Sequence, residues 1–105
     1  MIIRIWHGWT SHENAPAYQR LLEEEIFVGI RNRKISGFRG IQLLQRGLTE
    51  EVEFVTIMTF DSLEAVQQFA GDDYEKAVVP PKAQALLARF DQRSTHYELV
   101  TAAQG

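Results

Sequence analysis

The order of strand-like and helix-like stretches predicts an α+β domain of the ferredoxin-like plan, β-α-β-β-α-β, with a four-stranded antiparallel sheet and both helices on one face. Three observations carry this. Two β-rich runs, "GFRGIQLLQRG" and "EVEFVTIMTF", are joined by the short turn "GLTEE", the spacing of a β-hairpin. A helical pattern stands on either side of that hairpin. The chain opens and closes on β-branched and aromatic residues.

The first strand spans Ile2 to Thr10, "IIRIWHGWT". In the next stretch Tyr18, Leu21, Leu22 and Ile26 recur at helical spacing, with Ser11 or Asn14 available to cap and Pro16 suited to the first turn. This helix is expected to reach about Arg31, with a bend near Gly29. After the hairpin, Asp61 and Glu64 have the spacing of a capping box, and Gly71 supplies a stop. "DDYEKAVVPPKAQALLARF" reads as short helical pieces around Pro80 and Pro81, and "RSTHYELVT" as the last strand.

The 105 residues fit one compact domain over 1–105. The chain has no cysteine, which removes disulfides, thiolate nucleophiles and cysteine-ligated metals. "MIIRIW" has neither the long apolar run of a membrane span nor the pattern of a signal peptide, so a cytoplasmic location is expected. A formal net charge of −3 with interspersed signs disfavours nucleic acid or an anionic membrane as partner. An RNA-recognition domain shares the element order, but its third strand needs basic and glycine residues around stacking aromatics, and "VEFVTIMTF" has none.

The strands are apolar on both sides. Val55 and Ile57 share one face of their strand and Phe54, Met58 and Phe60 the other, and Ile3 and Ile5 oppose Ile2 and Trp6. Two helices cover only one face, so a homodimer formed through the other is expected.

The opening "RIWHGWT", the hairpin, the block "FDSLEAVQQFAGDDYEKAVVP" and the closing "HYELV" resemble the antibiotic biosynthesis monooxygenase family, whose members are dimeric α+β barrels. The resemblance spans roughly Ile2 to Val100 and implies a pocket between sheet and helices. It also implies one of several activities: oxygenation of aromatic quinols or anthrones without metal or flavin, heme degradation, or processing of small signalling molecules. The heme-degrading branch is marked by an asparagine on the first strand, a tryptophan late in the second helix and an iron-ligating histidine soon after. Trp6, Phe69 and Val78 stand at those places here, so heme degradation is not expected. In a signalling-molecule branch the position of Phe69 carries a histidine.

The expected function is therefore a cofactor-independent monooxygenase acting on a small aromatic or quinol substrate. The alternative is a non-catalytic dimeric barrel that binds a small ligand or serves a structural or regulatory role. His7 and His96 are the candidate catalytic bases. With Ile2 opposite Thr101 the antiparallel first and last strands place them side by side, although both could equally serve as surface hydrogen-bonding groups. A metal site would recruit Glu98 beside His96, but nothing in the spacing is diagnostic of one, and no metal or cofactor is expected. Trp6, Tyr18, Arg46, Phe54 and Phe69 are the candidate substrate contacts, each with core packing or, for Arg46, simple solvation as the structural alternative. Trp6 and His7 are neighbours on a strand and must face opposite ways. Trp6 falls near the family's pocket-lining first-strand position, so the resemblance implies Trp6 toward the helices and His7 toward the partner or the barrel rim.

Overall fold

A computed structural model describes residues 1–105. Strand β1 (Ile2–Ser11) leads into helix α1 (Ala15–Leu21), which passes through a π-helical stretch (Leu22–Ile26) into α2 (Phe27–Asn32). The hairpin β2 (Phe38–Gly47) and β3 (Glu51–Phe60) follows, then α3 (Leu63–Ala70), α4 (Pro81–Leu86), β4 (Leu87–Phe90) and β5 (Thr95–Glu98). All pairings are antiparallel, in the order β2-β3-β1-β4, with β5 also on β1. The predicted α+β class and hairpin stand. The fourth strand, however, is two short ones: β4 covers Gly8 to Thr10, and β5 covers Ile2 to Ile5.

That division corrects the expectation of a helix through Phe90. Helix α4 ends at Leu86, and the chain turns extended at Leu87 to satisfy the edge of β1. The cap of α3 also differs. Ser62, not Asp61, is the N-cap, its Oγ accepting from Ala65 N at 3.3 Å, while Asp61 is drawn off to a bidentate pair with Arg39. Gly71 closes the helix with φ 89°, a conformation that only glycine adopts freely. The irregularity of the first helical segment falls at Leu22–Ile26 and not at Gly29.

The even-numbered residues of β1 share a face with Val52, Phe54, Met58 and Phe60 of β3, and the helices pack there. One buried cluster joins Tyr18, Leu22 and Phe54, and the other joins Met58, Phe60 and Val66. The opposite face carries Ile3, Ile5, His7 and Trp9 beside Val55 and Ile57. No element of the chain covers it, and Leu44 and Tyr97 at its margins are 47% and 55% exposed. No helix is long and apolar enough to cross a membrane.

Candidate functional site

A cavity lies between the sheet and the helical layer, with about 510 Å³ of space not filled by atoms, part of it open to solvent. Of its 15 lining residues 11 are hydrophobic, the character of a site that takes an organic molecule. Trp6 forms its strand wall, Tyr18 and Phe27 come from the helices, and Phe69 closes the α3 side.

Trp6 is held there by two features of its own segment. Its indole Nε1 donates to Asp91 O at 2.8 Å. Its ring lies against Gly8, where a Cβ would stand 2.8 Å from the indole and 2.9 Å from Leu87. The glycine in "WHGW" is thus a requirement of the wall. Tyr18 is fully buried, packs edge-on to Phe54 at 4.8 Å between ring centroids, and makes no side-chain hydrogen bond to protein. Burial raises its pKa far above the ordinary phenol value, so it is a neutral hydroxyl.

The cavity has one polar end. Arg4, 3% exposed, enters it from the same face of β1 as Trp6. Its Nη1 donates to Tyr74 O and to His96 Nε2 (3.1 Å), and its Nη2 to Lys76 O (3.1 Å). No hydrogen bond engages its Nε, and no carboxylate pairs with it. Burial pushes its pKa down to about 10, which leaves a cation at neutral pH. Ser94, 4% exposed, lines the same end, and its Oγ has no partner.

The Arg4 contact fixes the state of His96. A guanidinium has no acceptor, so Nε2 must accept and the ring is neutral with its proton on Nδ1. That Nδ1 is buried and also has no partner. Burial first, and the Arg4 cation second, hold His96 below the usual imidazole range, with Glu75 pulling weakly the other way.

The two histidines do not meet. Ile2 pairs with Glu98 rather than Thr101, so Arg4, not His7, stands opposite His96. The shift is three residues, and an odd shift moves a strand's side chains to the other face. His96 therefore lies on the cavity side, and His7 lies on the open face, where its Nδ1 is 2.9 Å from Asp91 Oδ2 and its ring stacks on Trp9 at 6.1 Å. Two more candidates lie outside the cavity wall. Phe54 is core beneath Tyr18, and Arg46 sits on the open face, where its Nε donates to Glu53 Oε1 at 2.5 Å. Trp6, Tyr18 and Phe69 are the candidates that the fold brings together.

Sequence reasoning missed Arg4, Ser94 and Asp91. Arg4 had a signal, because it shares the parity of Ile2 and Trp6 and so had to face the helices. Ser94 and Asp91 fall in the break between β4 and β5 and had none. Nor do His, Asp or Glu side chains gather in threes as a metal would require. Heme does not fit this lining either. Val78 offers no donor atom, and His96 Nε2 is occupied by Arg4, so no imidazole is free to hold the iron.

No family model and no curated protein matches the chain. Solved structures do. A provisionally assigned antibiotic biosynthesis monooxygenase from Bacillus cereus aligns with TM-score 0.63 and 15% identity, over 99% of this chain and 95% of that one. A provisionally assigned monooxygenase of the same kind from Deinococcus radiodurans gives 0.64 and 18%, over 99% and 97%. An arginine-to-serine mutant of MhuD, solved with two manganese protoporphyrin IX molecules per active site, gives 0.59 and 21%, over 100% of both chains. Over its whole length the chain has the α+β fold of the antibiotic biosynthesis monooxygenase structures.

Proposed function

We propose that this protein is a homodimeric oxygenase of small planar aromatic substrates of the quinol or anthrone type, working without metal or flavin. The observation that carries it is the cavity itself, an apolar space lined by the aromatic rings of Trp6, Phe69 and Tyr18. In such a site an electron-rich ionised substrate passes an electron to dioxygen, and the protein contributes positioning and a dry surround. For an anthrone the balance is closed: the ring CH2 becomes C=O, one oxygen atom enters the product, and the other leaves as water. No outside reductant is required.

In this reading the second subunit covers the open face of the sheet. Ile3, Ile5, Val55 and Ile57 form its apolar centre, with the Arg46–Glu53 and Arg89–Glu51 pairs at its rim, a pattern that suits a two-fold contact between identical copies.

Oxygen uptake with a panel of quinols and anthrones, with ¹⁸O₂ to follow the incorporated atom, tests the reading. Uptake above the spontaneous rate with label in the product supports it. Uptake at the spontaneous rate throughout the panel rejects it in favour of a ligand-binding barrel. That second reading is favoured by one observation: neither histidine offers a free basic nitrogen to the cavity.

A further inference from the structure

We propose that Arg4 and Ser94 form an oxyanion-recognition site, so that the cavity selects aromatic molecules carrying an ionised oxygen, a phenolate, enolate or carboxylate. This deepens the oxygenase reading and rests on the same cavity.

Arg4 is a cation almost wholly removed from solvent with no carboxylate to balance it. Its three hydrogen-bond partners are neutral, two backbone carbonyls and the acceptor nitrogen of His96, and the Phe69 ring lies 5.4 Å from its Cζ, an aromatic face that also carries no countercharge. The hydrogen bonds fix the plane of the guanidinium and use three of its five donors, leaving Nε–H and one Nη2–H. Buried charges are normally paired, and this one faces a cavity. Glu75, the carboxylate whose charge reaches His96, is engaged by Arg93 at 3.2 Å. Ser94 Oγ supplies a further unpartnered donor at the same end. An oxygen anion seated there would gain a charge-assisted hydrogen bond from Arg4 and a second from Ser94, while its rings lie between Trp6 and Phe69.

The arrangement also removes the need for a side-chain base. A buried cation lowers the pKa of a phenol bound beside it, so the substrate enters or rests as the phenolate and its proton stays with bulk water. His96 then acts as a positioning residue. Its neutral Nε2 holds Nη1 and so orients the fork without competing for the anion.

The test compares two probes with one ring system, 2-naphthoate and the neutral 2-naphthylmethanol, by calorimetry at pH 7.5 in low and in 0.5 M salt. The wild-type protein is expected to bind naphthoate about tenfold tighter or more, as a charge-assisted bond in a buried site confers. The preference should survive 0.5 M salt, because a buried cation is little screened. Arg4→Met should abolish it, and Ser94→Ala should reduce it about threefold to tenfold. If Arg4→Met does not fold, Arg4→Lys serves in its place, with a weakened preference expected from charge kept and fork lost. Equal affinity for the two probes, binding of neither, or a preference lost in salt overturns the proposal. Retained preference with no oxygen uptake leaves the anion site standing and removes the oxygenase. Uptake without preference does the reverse.

Discussion

Trp6 and Asp91 are joined by a hydrogen bond from the indole Nε1 to the Asp91 carbonyl at 2.8 Å, while the carboxylate of the same aspartate takes His7 Nδ1 at 2.9 Å from the other side of the sheet. One residue in the break between β4 and β5 thus orients both neighbours of "WHG", one toward the cavity and one toward the open face. Trp6→Phe removes the donor and shrinks the bicyclic indole to a phenyl ring. It should cost about 2–4 kcal/mol in denaturant unfolding, from one hydrogen bond with its acceptor left over and the space vacated beside Gly8. Asp91→Ala, which spares the carbonyl and cuts only a half-exposed contact with His7, should cost less, about 0–1 kcal/mol.

Gly8→Ala should be worse than an alanine in a strand ordinarily is. The new methyl meets the far edge of an indole that its hydrogen bond to Asp91 keeps in place. Displacing that ring should cost about 1–3 kcal/mol, and near-UV circular dichroism should report the altered tryptophan environment. An unchanged spectrum and midpoint would show that the wall is softer than its geometry implies.

His96 makes stability depend on pH in a stated direction. Its folded pKa lies below the unfolded value, so the unfolded chain binds protons first as pH falls. Stability should be flat, as far as this group is concerned, above about pH 6.5 and decline as pH drops from there through the lowered folded value. His96→Gln keeps an acceptor for Arg4 and cannot charge. Unfolding at pH 7.5 and at pH 5 should show a smaller loss in that variant than in the wild type.

Replacing Arg4 reaches beyond the cavity. Its bonds to Tyr74 O and Lys76 O tie β1 to the loop between α3 and α4. Arg4→Met leaves these carbonyls and His96 Nε2 without their donor, at an expected cost of about 2–4 kcal/mol. Hydrogen exchange should quicken selectively in the segment 72–80.

Ile57→Glu places a charge in the middle of the open face and away from the cavity. Sedimentation at micromolar concentration should show a dimer for the wild type and a monomer for this variant. A monomeric wild type would remove the second subunit from the proposal.

The plan of the fold was legible because its signals are local. Two β-branched and aromatic runs joined by the short turn "GLTEE" give the hairpin, and a 3.6-residue recurrence through Tyr18 and Leu22 gives the helix. β4 was not legible: four residues, Leu87–Phe90, follow an alanine-rich run with the composition of a helix. The pairing of first and last strands was not legible either, because no tight turn joins them to set the register. The wall residues Trp6, Tyr18 and Phe69 could be named because the family resemblance implies a pocket between sheet and helices. The polar end could not, since Ser94 depends on a chain excursion that only the folded backbone defines.

The π-helical stretch at Leu22–Ile26 takes up one residue beyond the α-helical repeat, with the Phe27 N–H bonded to Leu22 O five residues back. A wide turn of this kind keeps the faces on its two sides in step, so Tyr18 and Leu22 line the same cavity as Phe27 and Ile30. A regular α-helix through the same residues would turn everything beyond the stretch by about 100° about the axis. The surplus is absorbed among Glu23, Glu24 and Glu25, all solvent-facing. Deleting one of them would let the turn close to an ordinary α-helix with the α2 wall still facing inward. The extra residue is thus accommodated on the outside of the molecule, and the inner row reads as though it were absent.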